Sequence, residues 1–321
     1  MIITQEKFLE RYKKIQNSEK NIWQSPEWGI FQGSIGKKVF SIGNENYLSL
    51  VVKQDLGFGQ NFLHVQRGPI GQTDDDFFID LKKLAVQEKS AFIRISQKDE
   101  KNQGEEIFYN GKKFSAIGDI FPKFSLLVDL TKSEDEILME MKQKGRYNIR
   151  LAQRKGVKIF EEKKSEKAAE IFYNLSIETT KRDGFSGHSK EVYQAMIESL
   201  GEKVKVYIGY FKDEPICAGI FTFEGEIAIY YYGVSSNLHR NLMAPYFLQW
   251  NAIVEAKKMG FKKYDFLGIA GDEKNKSDPW YGITNFKMKF GGEKVEYFEA
   301  FDIPVSYFKY FLYRLKKFLK I

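Results

Sequence analysis

From residue 133 onward the apolar positions recur regularly enough to be read as elements. Ser133-Glu134-Asp135-Glu136 is a capping box ahead of Ile137, Leu138 and Met141. It predicts a helix over 134–154, loosened at Gly145 and stopped before Gly156. VKIF (157–160) reads as a strand. Ala169, Phe172 and Leu175 share one face of a predicted helix over 165–182, with Asp183-Gly184 as its stop. Ser189 opens another helix, carrying Val192, Met196, Ile197 and Leu200 and ending at Gly201. Three strands follow at 205–211, 215–223 and 226–234, joined by the hairpin-like connections KDE and EGE. A helix over 244–259 ends at Gly260, and strands are predicted at 262–268, 285–292 and 295–301.

The first half repeats this order more weakly. Helices are expected over 4–19, near 26–32 and over 75–89. Strands are expected at 37–43, 46–54, 58–65, 91–97 and 124–130. Strands and helices in this mixed order predict an α/β fold, a mixed sheet with helices packed on it. Two copies of one unit in tandem is the economical reading. The first would span 1–131, with a C-terminal helix over 303–321 docking on it, and the second 132–302.

A chain of 321 residues is long for one core and sufficient for two. With 43% hydrophobic and 29% charged residues it is globular rather than disordered. The single cysteine, Cys217, sits in an apolar run, which excludes an internal disulfide and favours a buried thiol. The three histidines, His64, His188 and His239, lack metal-ligand spacing. The N-terminal stretch has no apolar signal region, and no apolar run reaches the length of a membrane span. A cytoplasmic monomer without metal or cofactor is expected.

The net charge of +7 is concentrated locally. Residues 142–159, KQKGRYNIRLAQRKGVKI, contain no Asp or Glu. On a helix, Lys142, Arg146, Arg150 and Arg154 would form one stripe at steps of four. Like charges at that spacing repel, so the stripe calls for an anion or a carboxylate to face it. The tail SYFKYFLYRLKKFLKI (306–321) places Phe308, Phe311, Leu312, Leu315, Phe318 and Leu319 at helical spacing, with Lys309, Lys316, Lys317 and Lys320 between them. Such a helix either docks on the protein or lies on anionic lipid, at the inner face of the cell membrane.

A three-strand meander followed by a helix is the order of the GNAT acyltransferase fold. That fold holds acyl-CoA through backbone N–H groups of a Gly-rich loop before the helix. Here the loop reads HRNLMAPYFLQW (239–250). Arg240 suits such a loop, but Leu242 and Met243 stand where small residues belong, and Pro245 removes a donor. The scaffold is acyltransferase-like without a normal CoA site.

The chain resembles the Fem family of non-ribosomal peptidyltransferases, which consist of two GNAT-like domains. The resemblance rests on WGIFQ (28–32), KxRYNIRxAxxKGV (144–157), YYYGVSS (230–236), APYFLQW (244–250), YDFLGI (264–269) and FKMKFGG (286–292), in that order. No long coiled-coil insertion is present, as in the shorter, arm-less members. The resemblance implies transfer of an amino acid from aminoacyl-tRNA to the stem-peptide amine of a peptidoglycan precursor, lipid-linked or nucleotide-linked. It implies that Phe286 and Lys287 lie near the reacting centre, with Lys287 stabilising an oxyanion or holding the tRNA end. Gln32 and His188 match the Lys and Arg with which nucleotide-using members grip a diphosphate; neither carries a fixed charge. Arg182 is a nearby basic alternative. Tyr232 and Tyr246 match aromatics around the acceptor peptide. Lys142, Lys144, Arg146, Arg150 and Arg154 would meet tRNA or diphosphate phosphates. Asp265 and Asp272 are weaker candidates for a base. Two other readings stay open: an N-acyltransferase with another activated donor, and a non-catalytic module that binds precursor or RNA.

Overall fold

The computed structural model describes residues 1–97, 116, 120–184 and 186–319. Lys320 of the basic tail lies outside the described residues. In chain order the elements begin α1 (Gln5–Lys14), α2 (Pro26–Ser34), β1 (Lys38–Gly43), β2 (Tyr47–Gly57), β3 (Gln60–Gln66), β4 (Ile70–Gly71), α3 (Asp75–Gln87), β5 (Phe92–Ser96). They continue β6 (Phe124–Asp129), α4 (Glu134–Glu140), α5 (Gln143–Arg154), β7 (Lys158–Glu161), α6 (Ser165–Asp183), α7 (Lys190–Leu200), β8 (Val204–Phe211), β9 (Glu214–Glu224), β10 (Ile227–Ser235). They end α8 (Ala244–Lys258), β11 (Lys263–Asp265), α9 (Tyr281–Lys287), β12 (Glu293–Glu296), β13 (Phe301–Pro304), α10 (Tyr307–Phe318). Two compact units result, Met1–Lys123 with Glu296–Ile321, and Phe124–Val295.

The first unit holds a sheet in the order β1-β2-β3-β5-β13, with β4 paired to β2. β3 and β5 run parallel, so the chain between them must cross over, and α3 is that crossover. Phe77, Leu81 and Leu84 of α3 pack in one buried cluster with Val51, Leu63, Val65, Ile93 and Ile95 of the sheet. β13 joins β5 antiparallel. Its Asp302 accepts two hydrogen bonds from Arg94, at 2.8 and 2.9 Å, with both side chains buried. Tyr310 and Tyr313 of α10 pack on Phe92, with ring centroids 5.2 and 4.7 Å away.

The second unit repeats the plan. Its sheet runs β12-β6-β11-β10-β9-β8-β7. β8, β9 and β10 form the meander, and α8 is the crossover to the parallel strand β11. The β8–β9 turn is tight: Lys212 and Asp213 both take positive φ, as a two-residue hairpin turn requires. α5 and α8 pack together on one face of the sheet, α6 and α7 on the other. Cys217 is buried, and burial pushes its thiol up to about 12. It is inert at neutral pH.

Several expectations are corrected. The boundary expected at 131/132 falls at 123/124, because β6 pairs with β11 of the second sheet. The strand expected at 295–301 divides: β12 closes the second sheet, and β13 belongs to the first. The helix expected over 134–154 breaks at Met141–Lys142 rather than loosening at Gly145. Gly145 is instead a point of close approach, where a Cβ would clash with the Lys289 backbone carbonyl. The strand expected at 262–268 ends at Asp265, and 285–292 is helix α9 and a 3-10 turn. Among the described residues no helix is long and apolar enough to cross a membrane.

Candidate active site in the second unit

β10 and β11 are paired over only three positions, Ile227–Ile229 against Lys263–Asp265. Beyond that point β10 continues toward Ser235, while the other chain enters the loop 266–269. The strands part at this place. An extra residue, Tyr231, bulges from β10 where the register against β9 shifts. A bulge reverses the normal alternation, so Tyr230 and Tyr232 reach opposite faces. Tyr230 packs on Phe221 and Phe266. Tyr232 packs on Phe172, Tyr193 and His188. Gly233 admits this arrangement, since a Cβ there would occupy the place of the Tyr230 hydroxyl.

Lys287 ends α9, on the Tyr230 side. Its side chain is only 6% exposed. Its Nζ donates to the carbonyl of Leu267 and, at 2.7 Å, to that of Gly268. It lies 5.9 Å from the Tyr230 ring centroid. Leu267 and Gly268 both take positive φ, which turns these carbonyls inward. The loop is clamped at both ends. Asp265 accepts the Leu267 N–H at 2.7 Å and the Ser125 hydroxyl. Thr284 accepts the Ala270 N–H at 2.8 Å. Burial pushes the Lys287 ammonium down to about 7, although Asp265 pulls the other way. At neutral pH both protonation states are therefore populated, and three donors set against two carbonyls leave one N–H unspent in the charged form.

Phe286 is half-buried and forms a wall with Tyr246 and Phe290, at centroid distances of 4.9 and 5.4 Å. Tyr246 is nearly buried, and its hydroxyl meets Asn148 of α5. The structure thus brings Phe286, Lys287 and Tyr246 together. Arg182, His188 and Tyr232 gather around the far end of β10. Tyr232 Oη lies 3.1 Å from His188 Nε2. Arg182 donates to Ser235 O at 3.1 Å and Asn237 Oδ1 at 3.0 Å. Desolvation lowers the His188 pKa, which favours the neutral ring. Gln32 belongs to the first unit, buried on α2.

The basic stripe is only partly free. Arg146 caps α4, donating to the carbonyls of Leu138, Met139 and Met141. The helix break leaves those carbonyls open, so Arg146 is spent inside the protein. Lys142, Lys144, Arg150 and Arg154 are exposed and make no ion pair among the described residues. Lys142 and Lys144 lie close enough to Lys289 to help lower its pKa, after burial. Asp272 is exposed and caps a turn, and Asp265 is committed to the loop. The sequence reading missed Ser125, Asn148, Tyr230 and Thr284. Asn148 and Tyr230 lie in matched segments and Thr284 just before one, whereas Ser125 carries no signal in the sequence. The loop before α8 has Leu242 buried and His239 and Met243 at positive φ, with no glycine.

The FemAB family profile matches residues 3–212 and 210–317. The chain belongs to the FemAB family. Among curated relatives of this FemAB-family chain, the lipid II:glycine glycyltransferase of Staphylococcus epidermidis is 24% identical, covering 70% of this chain and 71% of the relative. Among solved structures, FemX superposes with a TM-score of 0.79 at 17% identity, covering 98% of each chain. A tandem GNAT protein from the clavulanic acid pathway superposes at 0.56 with 7% identity, covering 95% of this chain and 98% of that one. The mixed α/β fold is thus the tandem GNAT-like fold, and the chain is a transferase of this family.

Proposed function

We propose that this chain moves an amino acid from aminoacyl-tRNA to a stem-peptide amine on a lipid-linked peptidoglycan precursor. The observation that carries the reading is Lys287, buried where β10 and β11 part and poised between two protonation states. The name of the staphylococcal relative supports a lipid-linked acceptor, as does the absence of a fixed charge at Gln32 and His188.

The donor is an activated ester, so no protein nucleophile is needed. The amine attacks the ester carbonyl, an N–C bond forms, the C–O bond to the terminal ribose breaks, and the proton passes from the amine to the leaving oxygen. Lys287 handles that proton and, when charged, offers its remaining N–H to the oxyanion. Phe286 and Tyr246 wall the pocket. Tyr232, His188 and Arg182 hold the acceptor on the other side of β10. Lys142, Lys144, Arg150 and Arg154 meet tRNA phosphates, which add affinity without reading sequence. The protein works as a monomer without cofactor.

The test is a transfer assay with total tRNA charged with radiolabelled amino acids, and with lipid-linked or nucleotide-linked precursor in separate tubes. RNase-sensitive label on the lipid-linked precursor is expected. Lys287→Ala should reduce turnover by roughly 100-fold or more with the fold intact. No label from any amino acid would overturn the reading, and label on the nucleotide-linked precursor alone would overturn its acceptor.

A further inference from the structure

α10 buries Tyr310 and Tyr313 and leaves most of its other apolar side chains in solvent. Phe308, Phe311, Leu315, Phe318 and Leu319 lie 41–83% exposed and fall on one face at helical spacing. A helix that served only to close the first unit would not carry three exposed phenylalanines on its outer side. A second element contributes to the same surface. The β2–β3 turn, Gly57-Phe58-Gly59, presents Phe58 at 96% exposure with a positive φ of 52°. Turns of that kind favour Gly or Asn, and an apolar side chain there has no packing purpose within the fold. Lys316 of α10 places its Nζ 5.4 Å from the Phe58 ring centroid, so the turn and the helix form one continuous surface.

The charges along the helix segment have one sign. From Ile303 to Ile321 the sequence holds Lys309, Arg314, Lys316, Lys317 and Lys320, and no Asp or Glu. We propose that α10 and the β2–β3 turn form a membrane-docking face that lays Phe58, Phe308, Phe311 and Phe318 into the interface of an anionic bilayer. Apolar side chains would enter the headgroup boundary while the basic residues meet lipid phosphates, the arrangement of an interfacial helix. Charge decides between this occupant and a second copy of the chain. Two such helices face to face would set lysines against lysines with no carboxylate between them. The face is distinct from the Lys287 site and would bring the protein to the surface where a lipid-linked acceptor resides.

The test is co-sedimentation of the full chain with vesicles of phosphatidylglycerol and phosphatidylcholine in equal parts, and with phosphatidylcholine alone. Binding to the anionic vesicles that weakens as salt rises is expected. Phe311→Asp with Phe318→Asp should weaken it roughly tenfold or more, and Phe58→Asp should weaken it separately. All three positions are exposed, so the thermal midpoint should not move. No binding at low salt, or binding unchanged in these variants, overturns the proposal. A dimer seen by light scattering and dissolved by the same substitutions overturns it in favour of a second copy. The assay contains neither donor nor acceptor, so its failure leaves the transfer reaction untouched, and the reverse.

Discussion

Replacing Lys287 with methionine separates the cost of burying a charge from the contacts the side chain makes. Burial moves the ammonium from its ordinary 10.5 to about 7. Between those values the unfolded chain holds a proton that the folded chain does not. Folding stability from this group therefore rises with pH across that window and is lowest at and below pH 7. At about 1.4 kcal/mol for each pH unit, the burial cost is about 4 kcal/mol at pH 7 and about 1.5 kcal/mol at pH 9.5. Methionine has no proton to lose and carries neither cost. It does forfeit the hydrogen bonds to the Leu267 and Gly268 carbonyls, about 1–3 kcal/mol each, at every pH. The absolute change at one pH thus mixes opposing effects, whereas its pH dependence isolates the charge. Urea unfolding would be followed by fluorescence in a Trp23→Phe/Trp28→Phe background, so that Trp250 and Trp280 report the second unit. The stability of Lys287→Met relative to its parent should fall by about 3 kcal/mol from pH 7 to pH 9.5. A difference flat to within about 1 kcal/mol would mean that Lys287 stays charged in the fold, and the proton-handling role would fall with it.

Gly145→Ala should destabilise the second unit by about 1–3 kcal/mol, because the new methyl meets the Lys289 backbone rather than a movable side chain. Since Lys289 follows closely on Lys287, transfer should fall as well, and thermal melts paired with turnover will show both. Arg150→Glu with Arg154→Glu should weaken tRNA binding and flatten its salt dependence by about two phosphate contacts, read from affinities across a salt series. Arg146→Ala should instead lower the melting temperature and leave that salt slope alone, because its guanidinium is committed to the carbonyls of α4. Asp302→Ala should cost about 3–5 kcal/mol of first-unit stability by taking the carboxylate from the buried Arg94 guanidinium, measured by urea unfolding.

The elements legible in the sequence are those whose burial follows a simple period. The meander of β8, β9 and β10 and the helices α6, α7 and α8 fall within a few residues of their expected bounds, because their buried apolar side chains recur at the period of the element. The expectation failed where a polar residue is buried or an apolar one is not. NFKMKF alternates polar and apolar residues as a strand does. Yet its buried positions, with Thr284, are Lys287 and Phe290, spaced three apart as on a helix. The residue that spoils the alternation is Lys287, the lysine at the centre of the proposed site. Its burial becomes affordable only through Leu267 and Gly268, some 20 positions earlier, and through the positive φ of both. No local pattern could announce that pairing, and the resemblance alone singled out Lys287. The stripe of Lys142, Arg146, Arg150 and Arg154 teaches the complementary lesson. Its spacing was readable, but the use of each cation was not, because the break at Met141 that claims Arg146 arises from the turn's packing against Lys289. Helical periodicity identifies which charges share a face. Only the hydrogen bonds of the folded backbone decide which of them remain to meet a partner.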